Sequence, residues 1–219
     1  MSIQSNLENI KSSLPENVTL VAVSKTKPVS DLMEAYNAGQ RIFGENKIQE
    51  MVEKWEQMPK DIQWHMIGHV QTNKVKFMAP FVSLIHGVDS LKLLQEINKQ
   101  AQKNNRVIDC LLQIHIAEEE TKFGLDEEEL SSLLNSNEFQ EMKNIRILGL
   151  MGMATFTDNQ EQIQKEFTHL KSIFDKLQSL NTENCQLNTV SMGMSGDYKL
   201  AIDCGSTMIR VGSSIFGGR

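Results

Sequence analysis

At 219 residues, 40% of them hydrophobic, the chain can bury a substantial core as one large domain or two small ones. Its formal net charge of −6 argues against nucleic acid as a partner, because a phosphate backbone calls for a basic face. The segment up to Leu14 lacks the apolar core of a secretion signal, and no apolar run is long enough to span a bilayer, so a cytoplasmic protein with no membrane partner is expected.

Strand-like runs rich in β-branched residues alternate with amphipathic stretches along the whole chain. After a polar N-terminal segment that can form a helix, the predicted strands are Thr19–Lys25, Arg41–Glu45, Gln63–Gly68 and Val82–Val88. They continue with Val107–Ile116, Arg146–Ala154, Leu187–Met192 and Thr207–Phe216. The first intervening helix is predicted over Ser30–Ala38, with Ser30 as N-cap and Gly39 as the closing glycine. Lys47–Met58 stops before Pro59. A short helix lies near Lys74–Met78, and Ser90–Lys103 carries Leu91, Leu94 and Ile97 at helical spacing. Asp126–Leu134, Gln160–Leu180 and Asp197–Cys204 complete the set. The widely spaced Cys110, Cys185 and Cys204 indicate neither a metal site nor a disulfide framework, and read as free thiols in a reducing compartment.

Strictly alternating strand and helix signals imply a parallel sheet. An open doubly wound sheet would give the same alternation. Eight similar units without a linker or a second composition block favour a single (β/α)8 TIM barrel spanning 1–219. No exposed apolar interface stripe is evident, so a monomer is expected.

In such a barrel, ligands sit at the C-terminal ends of the strands, and phosphate is often gripped by the loops after strands seven and eight. Strand one exits at Lys25, where a neutral amine could attack an aldehyde, although a solvated lysine would read the same way. Strand two exits at Asn46, either a ligand contact or a cap for the next helix. Strand three carries His65, by pattern a hydrogen-bonded core histidine, and is followed by Gln71 and Asn73 near the mouth. The seventh strand runs into Ser191-Met192-Gly193-Met194-Ser195-Gly196-Asp197, a turn whose free N–H groups and following helix suit an anion. The eighth places Arg210 opposite in facing to Ile209 and Val211, then Gly212, Ser213 and Ser214. An arginine inside a strand needs a task, and Gly212 permits close approach of a phosphate. A lysine, a phosphate cradle and an arginine fit one molecule with an aldehyde, an aromatic ring and a phosphate, which is pyridoxal 5′-phosphate (PLP).

The runs Ala22-Val23-Ser24-Lys25-Thr26-Lys27-Pro28, Phe43-Gly44-Glu45-Asn46, Trp64-His65-Met66-Ile67-Gly68 and Gln71-Thr72-Asn73-Lys74 resemble the YggS/PROSC family of PLP homeostasis proteins. So do Gly149-Leu150-Met151, Ser191-Met192-Gly193-Met194-Ser195 and Gly205 through Gly212, in order, from strand one to the end. The family is similar to the barrel domain of alanine racemase, a fold-type III PLP protein. The resemblance implies a Schiff base on Lys25 and an arginine, Arg210, facing the pyridine nitrogen. It implies phosphate donors at Gly212 and Ser213, with Ser191 to Ser195 as the other half of the cradle. Lys122 matches a second lysine linked to cofactor handling, or is a surface lysine. Two departures are a short segment before strand one, which could cost an N-terminal helix, and His69 after Gly68.

The resemblance implies a protein that binds, protects and delivers the cofactor, with PLP-dependent apo-enzymes as recipients, no catalytic residue and no metal. Racemisation needs an acid and a base on opposite faces of the substrate carbon. Alanine racemases draw one of them from a second domain, which is not expected beyond Arg219. Two rivals stand beside the carrier. A PLP-dependent racemase or lyase would use residues such as His65 or Tyr198. A Schiff-base aldolase would need the strand-six lysine of that class, absent from Ile147 to Met153.

Overall fold

The computed structural model describes residues 2–119 and 123–218. Six strands follow one another in space in chain order: β1 (Thr19–Val23), β2 (Ile42–Glu45), β3 (Gln63–Met66), β4 (Leu84–Val88), β5 (Ile108–Gln113) and β6 (Ile145–Met151). A two-residue strand, β7 (Asn181–Thr182), pairs antiparallel with the start of β8 (Cys185–Ser191). β8 pairs in parallel with β6 and with β9 (Met208–Val211), and β9 returns to β1 with Val21 beside Arg210. The parallel sheet therefore closes on itself, which removes the doubly wound alternative. The β7 hairpin had no clear signal, because two residues are too short to carry a period.

Helices cover the outside. α1 (Ile3–Ser12) precedes β1, so the short N-terminal segment still forms its helix. Next come α2 (Val29–Asn37), α3 (Ile48–Gln57), a 3-10 turn at Thr72–Lys74 leading into α4 (Val75–Met78), and α5 (Leu91–Lys103). α6 (Glu127–Asn135), α7 (Asn137–Gln140), α8 (Gln160–Leu177), α9 (Tyr198–Asp203) and α10 (Ser213–Phe216) complete the chain. Local chemistry sets several boundaries. Ser90 Oγ accepts the Leu93 N–H at 3.2 Å to start α5, and Leu94, Ile97 and Ala101 then face the core at helical spacing. Truncating such a side chain, as in Leu94→Ala, costs about 2–5 kcal/mol. Asp126 and Glu129 form a reciprocal capping box at α6. No helix among the described residues is long and apolar enough to cross a membrane.

Several expected element ends shift by a few residues, as at β1, β5, β6 and α8, and two of the shifts have a clear local cause. Ser30 is not the N-cap of α2: Pro28 occupies that position without a side-chain bond, and its fixed φ suits the entry. The eighth expected strand does not run to Phe216. It ends at Val211, and the N–H groups of Ile215 and Phe216 turn back to the Gly212 carbonyl to make α10. Gly39, at φ +87°, closes α2 as expected.

Alternation along the strands splits the side chains into two sets. Val21, Leu84, Leu111, Met151 and Met208 pack inside the barrel. Leu20, Ala22, Phe43, Trp64, Ile85, Ile209 and Val211 pack outward under the helices. Each aliphatic chain buried this way contributes about 1.5–3 kcal/mol. The same alternation turns His65, His86 and Arg210 inward, where they share the interior with Leu84 and Val21 beside them.

Candidate functional site at the barrel mouth

A cavity of about 370 Å³ opens at the C-terminal ends of the strands. Val23, Ile67, Met153, Phe156 and Met194 give it apolar walls, and Lys25, Asn46, Ser195, Gly196, Arg210, Gly212 and Ser213 bring polar groups to it. A side pocket of about 100 Å³ continues past Lys25 and Lys27 to Gly217 and Gly218. Cavities of about 450 and 460 Å³ lie elsewhere, at the N-terminal ends of β1 and β2 and beside the β7 hairpin. Those positions are not where barrels of this kind assemble ligand sites.

Lys25 lies just beyond β1, separated from its last residue by the buried Ser24. Its side chain is half-buried and makes no hydrogen bond or ion pair among the described residues. Asn46 also lacks a side-chain partner. The cap of α3 is Lys47, without a side-chain bond, so Asn46 takes the cavity position of its two readings.

The loops after β8 and β9 form one concave surface. Gly193 adopts φ +99°, and a side chain there would meet Ala201 Cβ at 2.7 Å, so glycine lets α9 approach the strand end. Ser195 Oγ accepts the Gly212 N–H at 3.1 Å and ties the two loops together. The backbone N–H groups of Ser195, Gly196, Ser213 and Ser214 make no hydrogen bond among the described residues. Unpaired donors on facing loops are the feature that holds a phosphate. Lys27 Nζ donates to the carbonyls of Phe216 and Gly218, which pins the C-terminal segment beside this surface.

Arg210 is 3% exposed. It donates to Ser191 O at 2.9 Å, Ser191 Oγ at 2.6 Å and Gly152 O at 3.0 Å. A guanidinium has five N–H donors, so two remain for a ligand in the cavity. Burial pushes its pKa down to about 10, and Asp197 opposes that shift; the group stays cationic at neutral pH.

A buried chain of hydrogen bonds continues behind it. His86 Nδ1 lies 2.9 Å from Ser191 Oγ, and His86 Nε2 lies 3.0 Å from His65 Nδ1. Burial holds His65 neutral, with its pKa pushed down to about 3. His86 is also held well below the ordinary histidine range, by burial first and then by His65 and Arg210. Ser191 accepts from Arg210, so its own proton can serve His86 Nδ1. With that proton on Nδ1's side, His86 is the Nε2–H tautomer and donates to His65.

Ser191 and Met192 were both expected in the cradle, but the structure places their side chains elsewhere. Ser191 is fully buried and supports Arg210, whereas Met192 is packed into the core and its N–H is bonded to Met208 O. His65 and Tyr198 do not line the cavity. Lys122 lies outside the described residues. His86 escaped the sequence reading, although its place in Leu84-Ile85-His86-Gly87-Val88 gives it the inward phase of Leu84. The carbonyl of Gly152 and the walls at Met153 and Phe156 carry no sequence signal of this role. Cys110 and Cys185 are buried and free, Cys204 is free and half-buried, and burial raises the first two thiols. No group of three metal-ligating side chains occurs among the described residues.

Comparison with known proteins places this geometry in a family. The model of the alanine racemase N-terminal domain matches residues 1–219. A pyridoxal phosphate homeostasis protein of Aquifex aeolicus is 40% identical over 201 residues, covering 91% of this chain and 86% of its own. That of Schizosaccharomyces pombe is also 40% identical, covering all of this chain and 93% of its own. The structure of PipY from Synechococcus elongatus, solved with PLP bound, is similar at a TM-score of 0.90 and 34% identity, covering 99% of this chain and 100% of that one. Alanine racemase of Clostridium difficile shares the fold at a TM-score of 0.81 and 18% identity, with this chain covering 60% of it. With the closed barrel, the two facing loops and the lysine at the exit of β1, the chain belongs to the pyridoxal phosphate homeostasis protein family, within the alanine racemase N-terminal domain family.

Proposed function

We propose that this protein binds PLP at the barrel mouth, holds its aldehyde through Lys25 and releases it to PLP-dependent apo-enzymes, acting in intracellular PLP homeostasis. The observation that carries the reading is Lys25, without a partner among the described residues, in one cavity with Ser195, Gly196 and Ser213, whose backbone N–H groups are free, and a charged Arg210. The cavity volume, about 370 Å³, falls in the range of cofactor sites. When bound, PLP supplies an aldehyde that condenses with a primary amine: nitrogen bonds to the aldehyde carbon and the oxygen leaves as water with both amine protons.

Each residue then has a task. Ser195, Gly196 and Ser213 would offer their free backbone N–H groups to the phosphate, and Gly212, its own N–H held by Ser195 Oγ, would let the phosphate approach the backbone. Ser195 also holds the loops at their spacing, and Met192 anchors its loop in the core. Arg210 has N–H donors left for the cofactor's ring nitrogen and would keep its own proton, so that it would hold the ring without acidifying it. Ser191 and His86 hold Arg210 in place. Asn46, on the same cavity wall, would offer its amide to the ring substituents.

The carrier reading is favoured over a racemase or lyase because neither His65 nor Tyr198 lines the cavity and burial keeps His65 neutral. The protein is then a cytoplasmic monomer with one PLP-binding domain and no catalytic residue. Incubating the PLP-loaded protein with L-amino acids in deuterated water tests this. The carrier gives no fast exchange of the α-proton; rapid incorporation of deuterium refutes it.

A further inference from the structure

The lysine that holds the aldehyde sits on an unusual turn. Ser24 O accepts the Lys27 N–H at 3.1 Å, which makes Ser24 to Lys27 a four-residue turn with Lys25 and Thr26 at its corners. Thr26 lies at φ +63°. The third position of a turn with positive φ favours glycine, and a β-branched residue there is an outlier that the surroundings must hold.

A buried ionic cluster behind the turn grips it on both sides of Lys25. Lys54 of α3 is 5% exposed. Its ammonium donates to Ser24 O at 2.7 Å, Glu45 Oε1 at 2.8 Å and Glu50 Oε1 at 2.7 Å. All three of its protons are thereby used. Glu50 Oε1 also accepts the Thr26 N–H at 2.5 Å, and Ser24 Oγ donates to Glu45 Oε1 at 2.6 Å. One cation and two carboxylates thus fix the carbonyl before Lys25 and the amide after it. None of the three lines the cavity.

We infer that Lys54 and Glu50 are positioning residues for Lys25, holding the strained Ser24–Lys27 turn so that the amine faces the aldehyde. The inference rests on the reading of Lys25 as the aldehyde-binding residue. The covalent step is unchanged by it: the nitrogen–carbon bond forms and water leaves. The clamp sets how often the amine meets the carbon in a reactive geometry.

Glu50 is partly exposed, with 23% of its side chain accessible, so Glu50→Ala removes one arm of the clamp without opening the core. Glu50→Gln keeps an oxygen that can accept from Thr26. Two readouts separate positioning from general damage. In the chain without added PLP, the Thr26 amide should exchange its hydrogen slowly in wild type and Glu50→Gln, and quickly in Glu50→Ala. With PLP added, borohydride quenching at intervals gives the rate of covalent capture, and equilibrium dialysis gives total PLP retained. Misplacement of a reacting group carries a large kinetic penalty, so Glu50→Ala should slow capture roughly ten- to hundredfold while the loops still retain PLP. Adding Thr26→Gly to Glu50→Ala should restore part of the rate, because glycine adopts positive φ freely. Unchanged exchange at Thr26 in Glu50→Ala overturns the clamp. Capture at the wild-type rate in Glu50→Ala, capture and retention falling in equal proportion, or Glu50→Gln failing as Glu50→Ala does, each overturns the positioning role. A wild-type protein that captures no PLP refutes the reading of Lys25, and the amide exchange still decides the clamp.

Discussion

Acidifying the protein should weaken it through the histidines behind Arg210. His65 is 4% exposed, and burial pushes its pKa from an ordinary 6.5 down to about 3. Below pH 6.5 the unfolded chain binds a proton at this residue that the folded barrel refuses. A histidine whose folded pKa is depressed contributes stability in its neutral form, so this stability is present above 6.5 and is lost as the pH falls towards 3. The slope is about 1.4 kcal/mol per pH unit, which amounts to about 2 kcal/mol over the one and a half units from 6.5 down to 5. His86, lowered by the same burial, acts in the same direction. The opposite sign applies to Glu45, which burial raises despite Lys54, so a control must isolate the histidine. His65→Asn provides one, since its amide can take over the hydrogen bond of Nδ1. Urea unfolding of both proteins at pH 7 and pH 5 should show wild type losing about 2 kcal/mol more than the variant. Equal losses would mean that His65 titrates as it does in water, and would refute the neutral buried chain.

Ser191→Ala should cost about 1–3 kcal/mol of stability, because it leaves His86 Nδ1 without its partner in a buried site. It should also weaken PLP retention by loosening Arg210; a shift in the urea midpoint with unchanged PLP affinity would confine Ser191 to the fold. Arg210→Gln removes a charge-assisted donor worth about 1.5–3 kcal/mol. Dialysis should therefore show PLP affinity falling by about ten- to hundredfold, and unchanged affinity would remove Arg210 from the site. Ser195→Ala should release the Gly212 N–H and separate the two loops, lowering affinity for inorganic phosphate as well as PLP, read by competition; no change in the competition would make Ser195 a bystander.

The barrel was legible because its signals repeat: strand and helix periods alternate along the chain, and the phase of Arg210 against Ile209 and Val211 gave its inward facing. The same phase gives His86 its inward facing, but a histidine between Ile85 and Gly87 carries no motif that marks it for a role. Strand ends were overextended wherever apolar residues ran on into loops, as at Ile215 and Phe216, because burial without a ladder partner looks the same in sequence. Ser191 and Met192 are both fully buried at the end of β8, and neither lines the cavity. A seven-residue polar turn does not say which of its members face the ligand, and only the strand end at Ser191 settles it. Of the Lys54–Glu45–Glu50 cluster, only the i,i+4 pair Glu50–Lys54 is readable from spacing; the packing of α3 on β1 and β2 is what brings Glu45 and the Lys25 turn to it.

The central claim is that Lys25 carries the aldehyde, and one measurement addresses it directly. The protein is incubated with PLP, reduced with borohydride, digested and mapped by mass spectrometry, beside Lys25→Ala treated identically. The account predicts a yellow wild-type protein with the reduced adduct on the peptide containing Lys25, and a Lys25→Ala protein that retains PLP through the loops but loses it on denaturation. An adduct found principally on another lysine, Lys122 included, or no adduct at all in the wild type, would contradict it.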